Sequence, residues 1–368
     1  MLHAFVLGIT VAIALGFVAL AAFLAYAAIR YAPIVGRIFE EKPFFLPLRL
    51  SAEPGGEDVR FKAQDGIDLA GTYYATPNSS RVGVLVFCHE YLSDRNSFQP
   101  YLAPLRSRGF DVFTFDFRSH GESAGEPNYS PLQWVSDHEV RDLNAALECV
   151  RSRADTDPAG VGLFGVSRGG GVALAVAGHD PTVWGVVTDG AFPTRGTMLS
   201  YIVRWAQIYV SNTYVRKSMP IWVYRFIASA ARTRSEKRLN CRYPDLEKAV
   251  SRLSPRAWLM IHGENDSYIV PDIARGLFAH AKEPKELWIV PKAKHNRCRD
   301  VAPEQYLATV TAFLGKYAPR RPLAEAMPAS SVSDPREAVV AGAPSRASAE
   351  AGLSESSVGG SLGAPVPG

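Results

Sequence analysis

The chain has 368 residues, with 40 Lys+Arg against 36 Asp+Glu and a formal net charge of +4. At 47% hydrophobic, 11% aromatic and 21% charged, it is neither a strongly basic nucleic-acid binder nor an acidic disordered chain, and it is too polar for a polytopic membrane protein. Cys88, Cys149, Cys241 and Cys298 lie far apart without zinc-type spacing, which excludes a disulfide scaffold or structural metal and leaves reduced thiols as the expectation.

In chain order, the first signal is a charge-free run. No Asp, Glu, Lys or Arg occurs from Met1 to Ile29, and Phe5–Ile29 is almost wholly apolar. As a helix this run spans about 37 Å, enough for a bilayer core of about 30 Å. A retained single-pass anchor over 1–30 is the expectation. A cleaved signal peptide and a buried core helix are the alternatives, the former supported by Ala25-Tyr26-Ala27 and weakened by the missing positive n-region. Arg30, Arg37, Lys42 and Arg49 follow the run and no basic side chain of that kind precedes it, so the positive-inside tendency puts the following domain in the cytoplasm. A linker is expected over 31–56.

Strands are predicted at Val59–Lys62, Leu69–Tyr74, Val82–Cys88, Asp111–Asp116, Val161–Phe164, Val183–Thr188, Trp258–His262 and Lys285–Ile289. Helices are predicted at Tyr101–Ser107, His138–Arg151, Arg168–Ala177, Asp272–His280 and Pro303–Lys316. Strands spaced by helices imply a mostly parallel α/β sheet covered on both faces, over 57–318. The first two strands, closing around Gln64-Asp65-Gly66, read as an antiparallel hairpin at one edge. The tail 319–368 has no aromatic residue and is rich in Ala, Pro, Ser and Gly, so disorder is expected there.

Gly165-Val166-Ser167-Arg168-Gly169 fits G-x-S-x-G and stands between a strand and a helix, where the glycines permit a strained turn that lifts Ser167 above the sheet. A serine hydroxyl needs a base, and that base needs an orienting carboxylate. Asp266 follows the strand Trp258–His262 and is the preferred acid, with Glu264 as its competitor. His295 lies between the last strand and the last helix and is the preferred base. The order Ser167, Asp266, His295 differs from the chymotrypsin and subtilisin orders. Two backbone N–H groups are required for the oxyanion: Arg168, next to the nucleophile, and Tyr91, in the loop after the third strand. His89, Asp116, Arg118 and His120 are read as loop supports.

These motifs, with Phe115-Asp116-Phe117-Arg118-Ser119-His120-Gly121-Glu122-Ser123 and His262-Gly263-Glu264-Asn265-Asp266, resemble the α/β-hydrolase superfamily. Within it, the chain is similar to the serine aminopeptidase and monoacylglycerol-lipase-like hydrolases. The resemblance implies an α/β-hydrolase fold with a helical lid, a Ser-His-Asp triad and no metal or organic cofactor. It departs at His89-Glu90, where such proteins carry His-Gly. A glutamate there puts a carboxylate beside the developing oxyanion, and a positive φ at position 90 would strain it.

The stretch 193–254 is the expected lid. Met198, Tyr201, Ile202, Trp205, Ile208 and Tyr209 form a helical apolar stripe, and the stretch carries 12 Lys+Arg against 3 acidic residues. Its net +9 leaves −5 for the remainder. Ordinary packing over the site accounts for the stripe, while the charge favours contact with anionic headgroups and a lipid-like acyl substrate. The sequence therefore reads as a membrane-anchored serine hydrolase of esters or related acyl bonds. A non-catalytic scaffold, or a peptidase, thioesterase or acyltransferase using the same triad, remains the alternative. No nucleic-acid partner is expected.

Overall fold

The computed structural model describes residues 1–43, 46–209 and 211–319; the predicted disordered tail lies outside them beyond its first residue. Eight strands form one sheet: β1 (Glu57–Lys62), β2 (Asp68–Tyr74), β3 (Gly83–Cys88), β4 (Phe110–Phe115), β5 (Val161–Val166), β6 (Val183–Asp189), β7 (Ala257–Gly263) and β8 (Lys285–Val290). Their order is β1-β2-β4-β3-β5-β6-β7-β8. The β1–β2 and β2–β4 pairs are antiparallel and all others parallel. The predicted hairpin is present, with Gly66 at φ 85° in its turn, a backbone conformation that glycine adopts without strain.

Why the central strands read as continuous apolar runs is visible in their side chains. Val84, Val86 and Cys88 of β3 join one core, and Leu85 and Phe87 join the other. In β7, Trp258 and Met260 face the first core while Leu259 and Ile261 face the second. Both faces are covered, so both halves of the period-two pattern must be apolar. The first face is roofed by α3 (Asp137–Arg151), α4 (Arg168–Ala177), α8 (Leu246–Val250) and α9 (Pro271–Ala279), through Leu143, Val172, Leu246 and Leu277. The second is covered by α2 (Gln99–Arg106) and α11 (Pro303–Tyr317), through Leu102 and Val310. A short α10 (Cys298–Val301) precedes α11.

One difference from the sequence reading concerns the N-terminus. Helix α1 runs unbroken from Leu2 to Glu40, through ten residues read as linker. It is long and apolar enough to cross a membrane over Leu2–Arg37, a property that signal sequences share. Its last third is ordered by tertiary contact: Ala27 packs on Val223 and Ile227, and Phe39 stacks on Trp134 at 4.3 Å. The Trp134 indole N–H also donates to the Phe39 carbonyl at 2.7 Å. Those partners are about a hundred or more residues away in sequence, which is why local pattern missed them.

The stretch expected as a lid contains α5 (Thr194–Tyr209), α6 (Thr213–Ser218) and α7 (Ile221–Arg238), followed by α8. The predicted stripe on α5 divides: Met198 and Ile202 are buried, whereas Trp205 and Ile208 are exposed. The helix starts over the core and runs outward, so its second half leaves the surface that would bury the stripe.

Candidate active site

The chain leaves β3 for β4 on one side and returns to β5 on the other, so the C-terminal ends of β3 and β5 flank a topological switch point. Cys88 pairs with Gly165 across that gap. Directly beyond them stand the His89–Tyr91 loop and Ser167.

Ser167 has φ 51° and ψ −116°, a conformation costly for a non-glycine residue, at the sharp turn between β5 and α4. Its N–H donates to the Asp189 carbonyl at 2.7 Å, which secures the turn from β6. The surrounding glycines are obligatory on space alone. A Cβ on Gly165 would lie 2.5 Å from the Gly169 carbonyl oxygen, and one on Gly169 would lie 2.1 Å from that of Cys88. Gly169→Ala must therefore push α4 away from the β3 loop. Misplacement on the order of an ångström at such a site is expected to lower turnover about 10²-fold, or to prevent the folded protein from accumulating; steady-state rates and soluble yield report which.

The predicted residues meet. Ser167 Oγ–H donates to His295 Nε2 at 2.9 Å, and His295 Nδ1–H donates to Asp266 Oδ2 at 2.6 Å. Asp266 is 2% exposed, and its other oxygen accepts the N–H groups of Tyr268 (2.9 Å) and Ile269 (2.8 Å). The carboxylate is thereby fixed by an Asx-type turn while its second oxygen faces the imidazole. Glu264, the competing acid, is exposed and accepts the Lys292 N–H at 3.1 Å on the far side of the turn. His262 is not a rival base. Burial holds its pKa below the usual value, and its Nε2–H donates to the Ile269 carbonyl at 2.8 Å.

Arg168 is the first residue of α4, where a backbone N–H has no acceptor within the helix. In the β3 loop, the Glu90 carbonyl accepts from His89 Nδ1–H at 2.7 Å and from the Ser93 N–H at 3.3 Å. A trans peptide sets C=O and N–H antiparallel, so the Tyr91 N–H is directed away from that buried side. The Arg168 guanidinium links the two donors: it lies 5.4 Å from the Tyr91 ring centre and donates to the Leu132 carbonyl at 3.0 Å. His120 and Glu139 close around it at 3.2 and 3.5 Å.

The loop supports are as expected. Asp116 accepts the Arg95 and Glu122 N–H groups at 2.6 and 2.9 Å. His89 Nε2 accepts the Phe117 N–H at 3.1 Å, so this ring is neutral, and burial depresses its pKa accordingly. Arg118 is wholly buried and pairs with Asp142 at 2.6 Å. It also lies among Asp65, Glu126 and His138, a trio close enough to hold a cation, whose charge the guanidinium already balances.

Glu90 is the unexpected element. The left-handed residue of its loop is Leu92 (φ 65°), so the glutamate carries none of the strain considered above. Its carboxyl is buried beside Ser97 (3.4 Å) and lines the same cavity of about 410 Å³ as Ser167, Tyr268 and His295. Burial raises its pKa from 4.5 to about 7, with Asp94 adding to the rise and Ser93 and Ser97 opposing it. Between those values the unfolded state has lost the proton and the folded state keeps it, so stability declines as pH rises from 4.5 toward 7 and stays low above. Glu90→Gln is expected to recover roughly 2–3 kcal/mol at pH 8 and little at pH 4. Thermal melting of both proteins at the two pH values checks this; an equal effect at both would refute it.

Sequence reading missed Tyr268, whose N–H orders Asp266 and whose ring packs 5.3 Å from His295. Its signal was available in Asp266-Ser267-Tyr268, an Asx-turn composition just past a strand.

Residues 85–309 match the model of the alpha/beta hydrolase family. The chain belongs to that family. Among its curated relatives, this alpha/beta hydrolase is 27% identical over 268 residues to the uncharacterized protein YfhR of Escherichia coli O157:H7, covering 70% of this chain and 81% of that one. It is 26% identical over 251 residues to the uncharacterized protein Rv2307c of Mycobacterium tuberculosis, covering 68% and 76%. In three dimensions it is similar to the Pyrococcus furiosus esterase PF2001, with a TM-score of 0.55 at 22% identity, over 76% of this chain and 100% of that one. At that identity the likeness speaks for the fold.

Proposed function

We propose that the protein is a serine hydrolase that cleaves an acyl ester through Ser167, His295 and Asp266. The observation that carries this is the unbroken hydrogen-bond line from Ser167 Oγ through the imidazole to a buried, doubly held carboxylate. Ser167 Oγ attacks the carbonyl carbon and its proton passes to His295 Nε2, while the imidazolium is steadied by Asp266. The tetrahedral oxyanion takes hydrogen bonds from the N–H groups of Arg168 and Tyr91. Collapse expels the alcohol, which leaves with the proton from His295, and an acyl-serine remains. Water then attacks with His295 as base, releasing the carboxylic acid and restoring the serine hydroxyl. The name of the Pyrococcus furiosus relative supports an ester over other acyl bonds.

The same reading keeps α1 as a single-pass anchor with the hydrolase domain on the cytoplasmic side. Support comes from Ala27, which sits in the small-residue motif of the alternative cleavage site and is buried against α7. Removal at that motif would strip a packed residue from the domain. The basic lid adds attraction to anionic headgroups.

Labelling by a fluorophosphonate probe tests the chemistry. The intact protein should label and Ser167→Ala should not. Failure of the intact protein to label, or labelling that persists without Ser167, would reject it.

A further inference from the structure

Helices α1 and α7 run side by side in the same direction. Ala27 touches Val223 near the start of α7, and Glu40 forms an ion pair with Arg238 at its end. The N-terminal end of α7 therefore lies level with the point where α1 leaves its charge-free stretch. Tyr26, Arg30 and Tyr31 mark that level on α1, aromatic and basic residues of the kind found at a membrane–water boundary. The lid presents a matching edge there. Tyr214, Ile221 and Trp222 are exposed, with Arg225 and Lys217 exposed beside them.

Between α1, α5 and α7 lies a second cavity, of about 640 Å³. Its walls are Tyr31 and Val35 from α1, Ile202 and Ala206 from α5, and Tyr224 and Ile227 from α7. Among the described residues, no Asp, Glu, Lys or Arg lines it. The volume is within the range of about 300–1,000 Å³ that small-molecule sites occupy. Ser211 and Asn212, in the turn between α5 and α6, border the cavity at the outer end of α5, next to the exposed aromatic edge.

Its inner end approaches the site already described. Tyr201 lines this cavity, and its hydroxyl donates to the Tyr268 carbonyl at 2.8 Å. Tyr268 lines the Ser167 cavity and packs on His295. These two tyrosine rings, 6.1 Å apart, form the partition between the apolar cavity and the catalytic one.

We propose that the apolar cavity is the seat of the hydrocarbon chain of a single-chain membrane amphiphile, entering beside α1 with its ester directed past Tyr201 and Tyr268 toward Ser167. This rests on the hydrolase reading for the fate of the ester, but not for the binding of the chain. A space whose described walls are mostly apolar, bounded by the apolar helix itself and with its polar Ser211 and Asn212 at the outer end, fits a hydrocarbon chain. The exposed cations at its outer edge suit the anionic surface from which such a chain would come.

Two measurements on the full-length protein in detergent micelles test it. The first avoids catalysis: Ser167→Ala is cross-linked with palmitic acid bearing a photoactivatable diazirine, and the modified peptides are mapped. Labels are expected on the α1 segment around Tyr31 and Val35 and on α5 around Ala206, and to fall about tenfold or more when the cavity is filled by Ala206→Phe or Ser211→Phe. The second compares p-nitrophenyl acetate with p-nitrophenyl dodecanoate. Either filling variant should lower kcat/KM for the long ester about tenfold or more, mainly through KM, and leave the acetate within about twofold. Labels elsewhere, or labels undiminished in both filled variants, would overturn the proposal, as would parallel loss of both esters in a variant that keeps its wild-type melting temperature. Correct labelling with no turnover of either ester would uphold the cavity and reject the hydrolase reading instead.

Discussion

Replacement of Ser167 by alanine is expected to lower kcat by about 10⁵–10⁶-fold while leaving the melting temperature unchanged or slightly lowered. The reason for the size is that the nucleophile is the one atom no neighbour replaces. His295 would retain Asp266 on its Nδ1 side and lose its partner at 2.9 Å on the other. The reason for the direction of the stability change is the backbone. Ser167 holds φ 51° whatever its side chain does, so alanine inherits the same strain and gives up only one hydrogen bond. Residual hydrolysis near wild type, in protein free of contaminating esterase, would remove Ser167 from the mechanism altogether.

Asp266→Asn should lower kcat about 10⁴-fold with little effect on KM. Asp266 Oδ1 accepts two backbone N–H groups, so an asparagine oxygen takes that position and its NH2 is turned toward His295. An NH2 donor facing Nδ1 favours the imidazole tautomer with its proton on Nε2. That proton then faces Ser167 Oγ, and the base is lost at the atom where it is needed. Glu264→Gln is the informative companion: its side chain is exposed and, among the described residues, accepts the Lys292 N–H away from His295, so kcat should stay within about twofold. Pre-steady-state acylation rates for the two variants distinguish them, and a Glu264→Gln defect as deep as that of Asp266→Asn would overturn the assignment.

Much of the fold was legible because a sheet buried on both faces writes itself as short apolar runs. Each of the eight predicted strands overlaps an observed one, and β5 was underestimated only at Gly165 and Val166, where the turn glycine argued for an end. The elbow was legible for a steric reason: the glycines around Ser167 have no space for a Cβ, and the strand and helix beside them carry strong periodicity. The choice of Asp266 over Glu264 was legible only as a preference, since two acids two residues apart differ by which side of a turn they face. The direction of the Glu90 carboxyl was beyond the sequence, because it depends on Leu92 taking the left-handed conformation. The helical state of residues 31–40 was also beyond it. These residues fell in the expected linker, and what holds them helical is packing on Trp134 and α7.

The parallel contact of α1 with α7 has a kinetic consequence. A flap over an active site opens by pivoting on its own two ends, on a timescale of microseconds to milliseconds that often limits turnover. Here α7 is fastened at both ends to a helix that continues far outside the domain, through Val223 on Ala27 and Arg238 on Glu40. To lift it would drag a second element nearly forty residues long. Helix α7 is thus a fixture on the face of α1 and no free flap, and a ligand of the cavity between α1, α5 and α7 must enter at its edges. Approach to steady state should then be immediate, with no lag on first meeting substrate.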